Sequence, residues 1–399
     1  MRRRSRRTKK TKKVSIRINI KKLIFPFIVV GILVYVIFAL LSLKEINTSN
    51  PISENNSHLY LLSQKKDSLN KTLLVFESRV DNQDRIENVY VFVQNEEKKE
   101  GVLIYVPSWL YYAGLENDFG NAVPVSSFRY AGEFLQQGRG VEYTVWQLEQ
   151  LLGINFDNYI WFPPEVMSVV RENLGEVSNS MMYSSYYKNS REVTEESLYL
   201  NGFLSNLSWF KLITNVSKFN DSSAVIYSDM GSLIRVLLNL KDIQQNIASN
   251  RPYLLNSGSP TNIESIQAVN SAGIMNYLNI PNYDEQWREL SSKLLDKALE
   301  QERVRVEVYN GSGTVGAAGE LARKIENAGC DVVRYDNAPE AIDNTIFYIP
   351  NPEDYKNSLE VISELIPGQY EMITGRPSFM TTGDIVIILG KDISRMYSF

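Results

Sequence analysis

The sequence contains almost no cysteine or histidine. Among its 399 residues, Cys330 is the only cysteine and His58 is the only histidine. An intramolecular disulfide needs two cysteines, a structural zinc site needs several Cys or His ligands, and a catalytic triad of the serine-protease type needs a histidine at its centre. One residue of each kind builds none of these. We interpret Cys330 as a small core residue and His58 as part of a linker.

Acidic residues are missing from the start of the chain. Residues 1–22 carry twelve arginines and lysines and no acid, so a net charge of −4 leaves −16 for the remainder. Residues 23–43 (LIFPFIVVGILVYVIFALLSL) are uncharged, and as a helix they would span about 31 Å, which matches a bilayer core. We predict a transmembrane helix there. The alternative is a cleaved signal peptide, but the run is long for one, and Ala39 and Ser42 lack a small residue two positions upstream.

The basic segment also predicts orientation. By the positive-inside rule, residues 1–22 form a cytoplasmic tail of a single-pass protein in the cell membrane, and the bulk of the chain lies outside the cytoplasm. Such a tail could also contact nucleic acid or anionic lipid, but topology alone accounts for it. We therefore expect no nucleic-acid partner. Residues 44–70 are polar, rich in Asn and Ser, and are predicted to be a spacer.

Near the end of the chain, a strand pattern changes into a helix pattern across a glycine-rich turn. Valine and tyrosine alternate with charged residues over 304–309, and the helical pattern starts at about Val315. Gly311, Gly313 and Gly316 spell G-x-G-x-x-G, and Asp336 follows about 20 residues later, as in a dinucleotide-binding unit. Only about 96 residues remain from Val304 onward, which is too few for the doubly wound sheet that such a unit requires.

We therefore predict no dinucleotide ligand and a structural role for this turn. Asn310, Gly311 and Gly313 would form a tight turn with positive φ, and Gly316 would let the helix pack on the sheet. A strand at 344–349, a helix at 353–366 and a strand at 384–389 complete a predicted β-α-β-β-α-β sandwich. The run NGSGTVGAAGELARKIENAGCDVV and the closing DIVIILGKD resemble the LytR C-terminal domain, which is commonly appended to envelope proteins of the LytR-CpsA-Psr family. The resemblance covers 303–395.

The middle of the chain begins with closely spaced strands. Strands are predicted at 72–76, 88–94 and 101–106, with a polar turn at 95–100, followed by a helix at 143–152 and a strand at 156–162. With the phrases YVPSW and LLGINFDNYIWFPPEVMSVVRENLGEV, this order resembles the catalytic domain of the LytR-CpsA-Psr family. We expect an α/β domain at 71–250, with helices at 165–174, 198–216 and 234–247. A linker at 251–302, with a loop at 251–262 and an amphipathic helix at 284–302, leads to the C-terminal domain at 303–399.

The resemblance implies a chemistry that this chain departs from. Active members of the family are thought to move a glycopolymer from a polyprenyl-phosphate-type carrier to peptidoglycan, and such phosphoryl transfer needs cations and often Mg²⁺ held by carboxylates. Where the family has an Arg-Asp pair after the third strand, this chain has Ser108 and Trp109. The later arginine cluster is missing as well. A serine cannot clamp phosphate with two parallel hydrogen bonds, and a tryptophan cannot hold a metal or take a proton.

Part of the family's charge pattern remains. Glu77 and Arg79 stand at the exit of the first strand, and Arg85 and Glu87 stand before the second. These four could form a residual phosphate-binding site, or they could be solvated or mutually paired surface charges. A second group of residues could form an apolar wall for a lipid or stack on sugars, or could simply be core: Trp109, Tyr111, Tyr112, Phe128 and Tyr130.

These features together predict a membrane-anchored, extracytoplasmic cell-envelope protein of α/β fold. We expect it to be a pseudoenzyme without catalytic residues, metal or cofactor, which binds or organises cell-wall glycan (peptidoglycan) or lipid-linked glycopolymer. One alternative is an active glycopolymer transferase with rearranged residues, which would need Mg²⁺. Another is an envelope scaffold that binds only proteins.

Overall fold

The computed structural model describes the chain in several stretches. They are 20–48, 69–80, 82–95, 97–112, 122–164, 188, 200, 203–204, 226–227, 233–267, 273–295, 297–366 and 370–393. The chain divides into two compact units, 1–45 and 46–399. Most of the predicted spacer at 44–70, including His58, the predicted helix at 165–174 and most of the predicted helix at 198–216 lie outside the described residues.

The described helices are α1 (Ile20–Thr48), α2 (Phe128–Leu135), α3 (Gly140–Leu152), α4 (Leu233–Asn250), α5 (Ile280–Leu294), α6 (Lys297–Glu302), α7 (Ala317–Asn327) and α8 (Lys356–Glu364). The first strands are β1 (Leu69–Val80), β2 (Gln83–Asn95), β3 (Glu100–Pro107), β4 (Tyr111–Tyr112), β5 (Val123–Pro124), β6 (Asn158–Phe162), β7 (Ile226–Tyr227) and β8 (Tyr253–Asn256). They are followed by β9 (Ile263–Gln267), β10 (Ile274–Leu278), β11 (Arg305–Asn310), β12 (Asp331–Asn337), β13 (Ile346–Ile349), β14 (Glu371–Thr374) and β15 (Ile385–Leu389).

The centre of the larger unit is a six-stranded sheet of order β7-β6-β1-β2-β3-β8. Strands β1, β2 and β3 form an antiparallel meander at the three predicted strand positions, and the predicted hairpin turn between β2 and β3 falls at the predicted place, with Lys99 at φ 52°. The strands are longer than predicted because their polar ends also pair. The parallel neighbours β6 and β8 extend the meander on both sides.

Both faces of this sheet are covered, which explains why its strands are nearly continuous runs of buried apolar residues. On one face, α2, α3 and α5 enclose a core that includes Val75, Val91 and Trp161. On the other face, Phe76 stacks on Phe162 at 4.9 Å and meets Phe203 edge to face at 5.0 Å. Helix α4 lies against this sheet too, and its Asp242 accepts a hydrogen bond from Gln94 at 2.9 Å. The predicted α/β class is confirmed.

Two predictions for residues 251–302 were wrong in detail. The predicted loop at 251–262 contains β8, whose four residues pair with β3 as the edge of the large sheet. The predicted single helix at 284–302 begins earlier, at Ile280, and is divided into α5 and α6. Its start is fixed by Asn279, whose side chain accepts a hydrogen bond from the backbone N–H of Asn282 at 3.2 Å.

A hairpin that the sequence did not predict precedes α5. Strands β9 and β10 pair antiparallel, and with β4 and β5 they form a four-stranded sheet of order β5-β4-β10-β9. This small sheet is attached to the exit of β3. Its short strands place β4 and β5 beside β9 and β10, next to the end of β3.

The C-terminal domain (residues 303–393) is a five-stranded sheet of order β12-β11-β15-β13-β14 with α7 and α8. The predicted order of elements holds, but β14 is an added strand that pairs parallel with β13. Its burial is shallow, and its four residues carry no alternating pattern that would have identified it. Cys330 is buried in the domain's core beside Leu299, as expected, and burial raises the pKa of its thiol to about 12.

Helix α7 of the C-terminal domain packs against the turn between α3 and β6. The buried Lys324 ammonium donates to Asn155 at 2.7 Å, and the amide of Asn327 donates to the carbonyl of Gly153 at 3.2 Å. From α5, the indole N–H of Trp287 donates to the carbonyl of Asn327 at 3.0 Å. These contacts are buried and directional, so the C-terminal domain is held in one orientation on the first.

Helix α1 is the only described element of the unit 1–45. It contains the predicted apolar segment 23–43 and one proline, Pro26. Within the described part of the chain, no helix meets the length and apolarity needed to cross a membrane.

Candidate functional site

The site we describe lies where β1 leaves the sheet. A bulge between Phe76 and Glu77 makes Glu87 the extra residue of β2, between Asn88 opposite Phe76 and Ile86 opposite Glu77. Glu77 itself is fully buried, and one of its carboxylate oxygens, Oε2, accepts a short hydrogen bond from Nη1 of Arg129 on α2. The guanidinium of Arg129 also lies over the ring of Trp161, 5.9 Å from its centroid. We call Glu77, Arg129 and Trp161 the Glu77 site.

The electrostatics of this site are set by burial. Burial raises the pKa of Glu77, while the charge of Arg129 and the indole N–H of Trp161 oppose that rise. Glu77 Oε1 and Trp161 Nε1 are both buried, and neither makes a hydrogen bond of normal geometry with a described residue. Arg129 retains about a quarter of its side-chain surface. The Glu77 site therefore combines a buried carboxylate and a buried indole N–H with a cation that reaches the surface.

The other charged residues predicted for this site are not brought together. Arg79 lies opposite Asp84 and binds both of its oxygens, at 2.7 and 3.3 Å, while Arg85 lies opposite Ser78 and donates to Gln83 at 3.2 Å. Because neighbouring residues of a strand point to opposite faces, Arg79 and Arg85 lie on opposite faces of the β1-β2 hairpin. This geometry does not support the predicted site in which Arg79 and Arg85 bind one phosphate group together.

Ser108 and Trp109 form the turn after β3. The carbonyl of Ser108 accepts from the N–H of Ser126 at 2.7 Å, and Trp109 keeps 44% of its surface exposed. A side chain at Gly258 would come within 3.2 Å of the Trp109 ring and 2.4 Å of Pro107, so the glycine lets this turn approach β8. The turn supplies a hydroxyl and an indole, but no charge.

The aromatic residues near this turn divide into core and surface. Phe128 is buried, Tyr111 and Tyr112 are half-buried in β4, and Tyr130 keeps 63% of its surface. Tyr111 and Tyr277 lie 6.1 Å apart across the small sheet. An apolar wall made of all five predicted aromatic residues is therefore not formed, and Trp109 and Tyr130 are the two that reach solvent.

The acids of this site do not fit a magnesium ion. Mg²⁺ binds carboxylates whose oxygens are free to coordinate it. Two of the acids in the β1-β2 hairpin are paired with arginines, Glu77 with Arg129 and Asp84 with Arg79. Within the described ranges, no group of three or more acidic, His or Cys side chains is placed to hold a metal ion.

The glycine turn of the C-terminal domain is closed by its own side chains. Asn310 donates to the carbonyl of Thr314 at 2.7 Å and accepts from the N–H and hydroxyl of Ser312 at 3.1 and 2.7 Å. Gly313 and Gly316 both have φ of 82°, whereas a side chain at Gly311 would meet the carbonyl of Leu389 at 2.9 Å. The prediction of positive φ is confirmed at Gly313 and wrong at Gly311. Glycine is needed at 311 because the backbone there lies close to the backbone of Leu389.

Arg129 is the residue that sequence reasoning missed. It follows Glu77 by 52 positions, and a single arginine in a short amphipathic helix gives no sign that it faces a buried acid. The sequence FRYAGEFL does carry one usable signal, because Gly132 allows α2 to approach α3 closely. A side chain at Gly132 would meet Tyr143 Cβ at 2.5 Å.

The fold and the turn geometry of residues 303–393 define a small mixed α/β domain attached to a larger α/β domain. Residues 303–392 match the family model LytR_C, described as "LytR cell envelope-related transcriptional attenuator". The prediction of a LytR C-terminal domain at this place is confirmed. No curated protein sequence matches the chain.

Several solved structures are similar to the chain at low identity. They include the transcriptional regulator yvhJ from Bacillus subtilis (13% identity, 58% of this chain and 99% of that one, TM-score 0.41) and B. subtilis TagV (14%, 58% and 98%, TM-score 0.41). A third is TagT bound to LI-WTA (12%, 59% and 95%, TM-score 0.38). Likeness at this level does not identify a function.

Proposed function

We propose that this protein is a membrane-anchored, extracytoplasmic cell-envelope protein that binds lipid-linked glycopolymer or cell-wall glycan at the Glu77 site without transferring it. The proposal combines the LytR_C domain at 303–392 with the residues at the exits of β1 and β3. The observation that carries it is the pair Arg129–Glu77, a cation with exposed surface next to a buried carboxylate.

Arg129 supports phosphate binding. Only one of its nitrogens donates to a described acceptor, so the others remain available to phosphate oxygens. Charge-assisted hydrogen bonds of this kind contribute about 1.5–3 kcal/mol each. One arginine beside one carboxylate gives no net positive charge, so we expect weak binding of a lipid phosphate and dependence on additional contacts to the glycan.

The same residues argue against transfer. A phosphoryl-transfer reaction depends on several cations, often with a metal, that stabilise the charge on the phosphoryl oxygens. At the exit of β3 this chain offers Ser108 and Trp109, and in the β1-β2 hairpin Glu77 and Asp84 are each paired with an arginine. A bound glycopolymer would therefore be retained and not passed on.

The membrane anchor is proposed from sequence and from α1. Residues 23–43 are uncharged and follow twelve basic residues. The described large apolar side chains of α1, from Phe27 to Leu41, are exposed, and bilayer lipid would bury them. Cell fractionation tests the anchor, and protease protection tests its orientation. In inverted vesicles, residues 46–399 should be protected from protease added outside and degraded only by protease inside the vesicles.

The binding proposal is tested on the full-length chain purified in a polyoxyethylene detergent. Undecaprenyl phosphate binding is measured for the unmodified protein, for Arg129→Met, and for the neutral double variant Glu77→Gln/Arg129→Met, which leaves no unpaired buried acid. We expect both variants to bind at least about tenfold more weakly, which corresponds to about 1.4 kcal/mol. Glu77→Gln alone should bind as well as the unmodified protein or better, because it removes the opposing charge.

Two controls separate this proposal from its alternatives. Arg288→Met removes a half-exposed arginine elsewhere and should leave binding unchanged, whereas a loss confined to Arg79→Ala/Arg85→Ala would move the site to those residues. A parallel assay with a lipid-linked glycan, peptidoglycan and Mg²⁺ measures release of the carrier. Transfer by the unmodified protein would establish the transferase alternative. If no form of the protein bound lipid phosphate or glycan, the remaining hypothesis would be a scaffold that binds only proteins.

A further inference from the structure

A second site lies at the far edge of the large sheet. A cavity of about 610 Å³ opens beside β8, between the turn that follows this strand and helix α5. Its volume is in the range of small-molecule sites in proteins. Two strands, β2 and β3, lie between β8 and β1 in the sheet, and three strand spacings correspond to about 14 Å, so this cavity is separate from the Glu77 site.

Two cations converge on one aromatic ring at the mouth of this cavity. The ammonium groups of Lys188 and Lys293 each lie 4.8 Å from the centroid of the Tyr253 ring. The ring's negative faces attract both of them. Each lysine is also paired with an acid, Lys188 with Glu100 at 2.8 Å and Lys293 with Glu289 at 3.3 Å. The Tyr253 ring therefore has both ammonium groups within cation–π distance.

The charges that line the cavity do not cancel. Lys188, Lys293 and Glu289 face it, whereas Glu100 does not line it. Glu289 keeps 75% of its side-chain surface, so its pairing with Lys293 is weak and easily exchanged for a ligand. The lining residues thus carry one more positive than negative charge, although Lys188 is also paired with Glu100 outside the cavity, so a ligand with one negative charge would share Lys188 with Glu100 and replace Glu289 at Lys293.

The floor of the cavity is a set of amide and hydroxyl groups held in fixed positions. Gln286 and Asn262 exchange amide hydrogen bonds at 2.9 and 3.1 Å, and the hydroxyls of Ser259 and Thr261 lie 2.9 Å apart. Asn256 accepts from the N–H of Gly258 through its oxygen at 2.9 Å. Its side-chain nitrogen donates to no described residue, although only 7% of Asn256 is exposed.

This lining selects among anions. A nucleobase needs a free aromatic face, and the Tyr253 ring is already covered by two ammonium groups. A ligand with many hydroxyl groups fits better, because alternating donors and acceptors on the floor match hydroxyls, which both donate and accept. Leu255 and Leu290 add apolar wall for the C–H face of such a ligand.

We propose that this cavity binds a saccharide unit that carries one negative charge, as a phosphate or a carboxylate. The charged group lies at Lys188 and Lys293, and the ring hydroxyls lie on the floor formed by Asn256, Thr261 and Gln286. The argument uses no residue of the Glu77 site. It would stand if that site bound nothing.

The test is calorimetric titration of the full-length chain in a polyoxyethylene detergent, which contains no sugar. Glucose 6-phosphate and glucuronate supply the two forms of charge, and glucose and inorganic phosphate supply each half of the ligand alone. We expect at least one of the charged sugars to bind at least tenfold more tightly than glucose or phosphate. If inorganic phosphate bound as tightly as the charged sugars, the site would be a simple anion site. If glucose bound more tightly than the charged sugars, the lysines would have no role in binding. Either result overturns the proposal, as does the absence of binding by both charged sugars.

Two variants assign the binding to this cavity. Lys293→Met removes one cation at the surface of α5, and Asn256→Asp keeps the oxygen that accepts from Gly258 while replacing the free donor with a negative group. Each should weaken the charged sugar at least tenfold. Lys391→Met is the matched control, since Lys391 is an exposed lysine paired with an exposed acid, Asp343, at 2.8 Å on the C-terminal domain. Unchanged binding in Lys293→Met, or an equal loss in Lys391→Met, would contradict the assignment.

Discussion

Arg323 on α7 of the C-terminal domain donates two hydrogen bonds to the carboxylate of Asp284 on α5 of the first domain. Its Nε lies 2.7 Å from Oδ2, and its Nη2 lies 2.9 Å from Oδ1. Its remaining donors reach the carbonyls of Gln150 at 2.7 Å and Leu151 at 3.0 Å, at the end of α3. The side chains of Arg323 and Asp284 are 12% and 7% exposed. One guanidinium thus satisfies three separate acceptors across a buried interface, the Asp284 carboxylate and two helix-terminal carbonyls.

Arg323→Ala should lower the free energy of unfolding by about 3–5 kcal/mol, because it leaves Asp284 as a buried charge without its partner. Urea unfolding of the full-length chain, followed by circular dichroism, measures the change. The control crosses the same interface: Arg288 pairs with Glu326 at 3.3 Å, but the two side chains are 45% and 35% exposed. Arg288→Ala should cost at most about 1 kcal/mol. Equal losses in the two variants would show that burial does not decide the strength of this interface.

Glu307→Gln should destabilise the C-terminal domain in a pH-dependent way. Glu307 is buried and accepts hydrogen bonds from the N–H and hydroxyl of Thr382 and the N–H of Gly383, each at 2.8 Å. Burial alone would raise the pKa of Glu307, but these bonds and that from Tyr309 outweigh it and lower the pKa below its ordinary value of 4.5. The folded state therefore favours the ionised form.

The sign of the pH effect follows from that lowered pKa. Stability from ionised Glu307 is complete above the ordinary pKa and is lost as the pH falls through the lowered one. At pH 7 we expect Glu307→Gln to cost about 1–2 kcal/mol, and the difference from the unmodified protein should shrink below pH 4.5. Thermal unfolding between pH 3 and 7 measures it. Glu360→Gln, at an exposed position of α8, should change stability by less than about 0.5 kcal/mol throughout. A loss at Glu307 that is constant with pH would refute the assignment.

Gly390→Ala should destabilise the protein by at least about 2 kcal/mol, since an added methyl group would lie 2.4 Å from the backbone carbon of Asn344. Gly319→Ala is the opposite case. Gly319 lies inside α7, where a methyl group would first meet Tyr335 at 3.7 Å, an ordinary contact. This change should stabilise by about 0.5–1 kcal/mol, because alanine favours the helix. Unfolding curves of the two variants should therefore shift in opposite directions, and a shared direction would mean that the backbone near residue 390 adjusts freely.

The C-terminal domain should bind neither NAD nor FAD. Asn310 and Ser312 satisfy each other and the backbone of the turn, which leaves fewer N–H groups for a pyrophosphate than such a site presents. Titration of the full-length chain with either cofactor, followed by tryptophan fluorescence, checks this. Saturable binding that disappears in Gly313→Val would contradict it.

Sequence patterns predicted the elements that are stabilised by local repetition. The apolar strands β1 to β3, the helix pattern of α3 and α4, and the order of elements after Val304 are all visible as periodicity. Strands β8 and β14 have four residues each, and β8 lies between Pro252 and the turn Ser257–Gly258, so their existence depends on neighbours that are distant in sequence. No periodic pattern reports such pairing.

The charged residues were harder to predict for the same reason. Glu77 was recognised as a site residue, but its partner Arg129 was not, since the pairing arises from α2 crossing the end of β1. Lys324 would be expected at the surface from its type, yet it is 2% exposed and donates to Asn155. A lone lysine or arginine in a helix gives no sequence signal for burial, because the acceptors that compensate for it belong to another domain.

The docking of α7 on the first domain also limits how the protein can engage a polymer. Two domains joined by a flexible tether sample many separations, and the gain from binding two points of one chain then depends on tether length. Here buried hydrogen bonds from Lys324 and Asn327 fix the spacing instead. A long ligand that contacted both domains would have to match this fixed spacing. The repeat length and stiffness of the polymer, as well as its chemistry, would therefore decide which polymers bind.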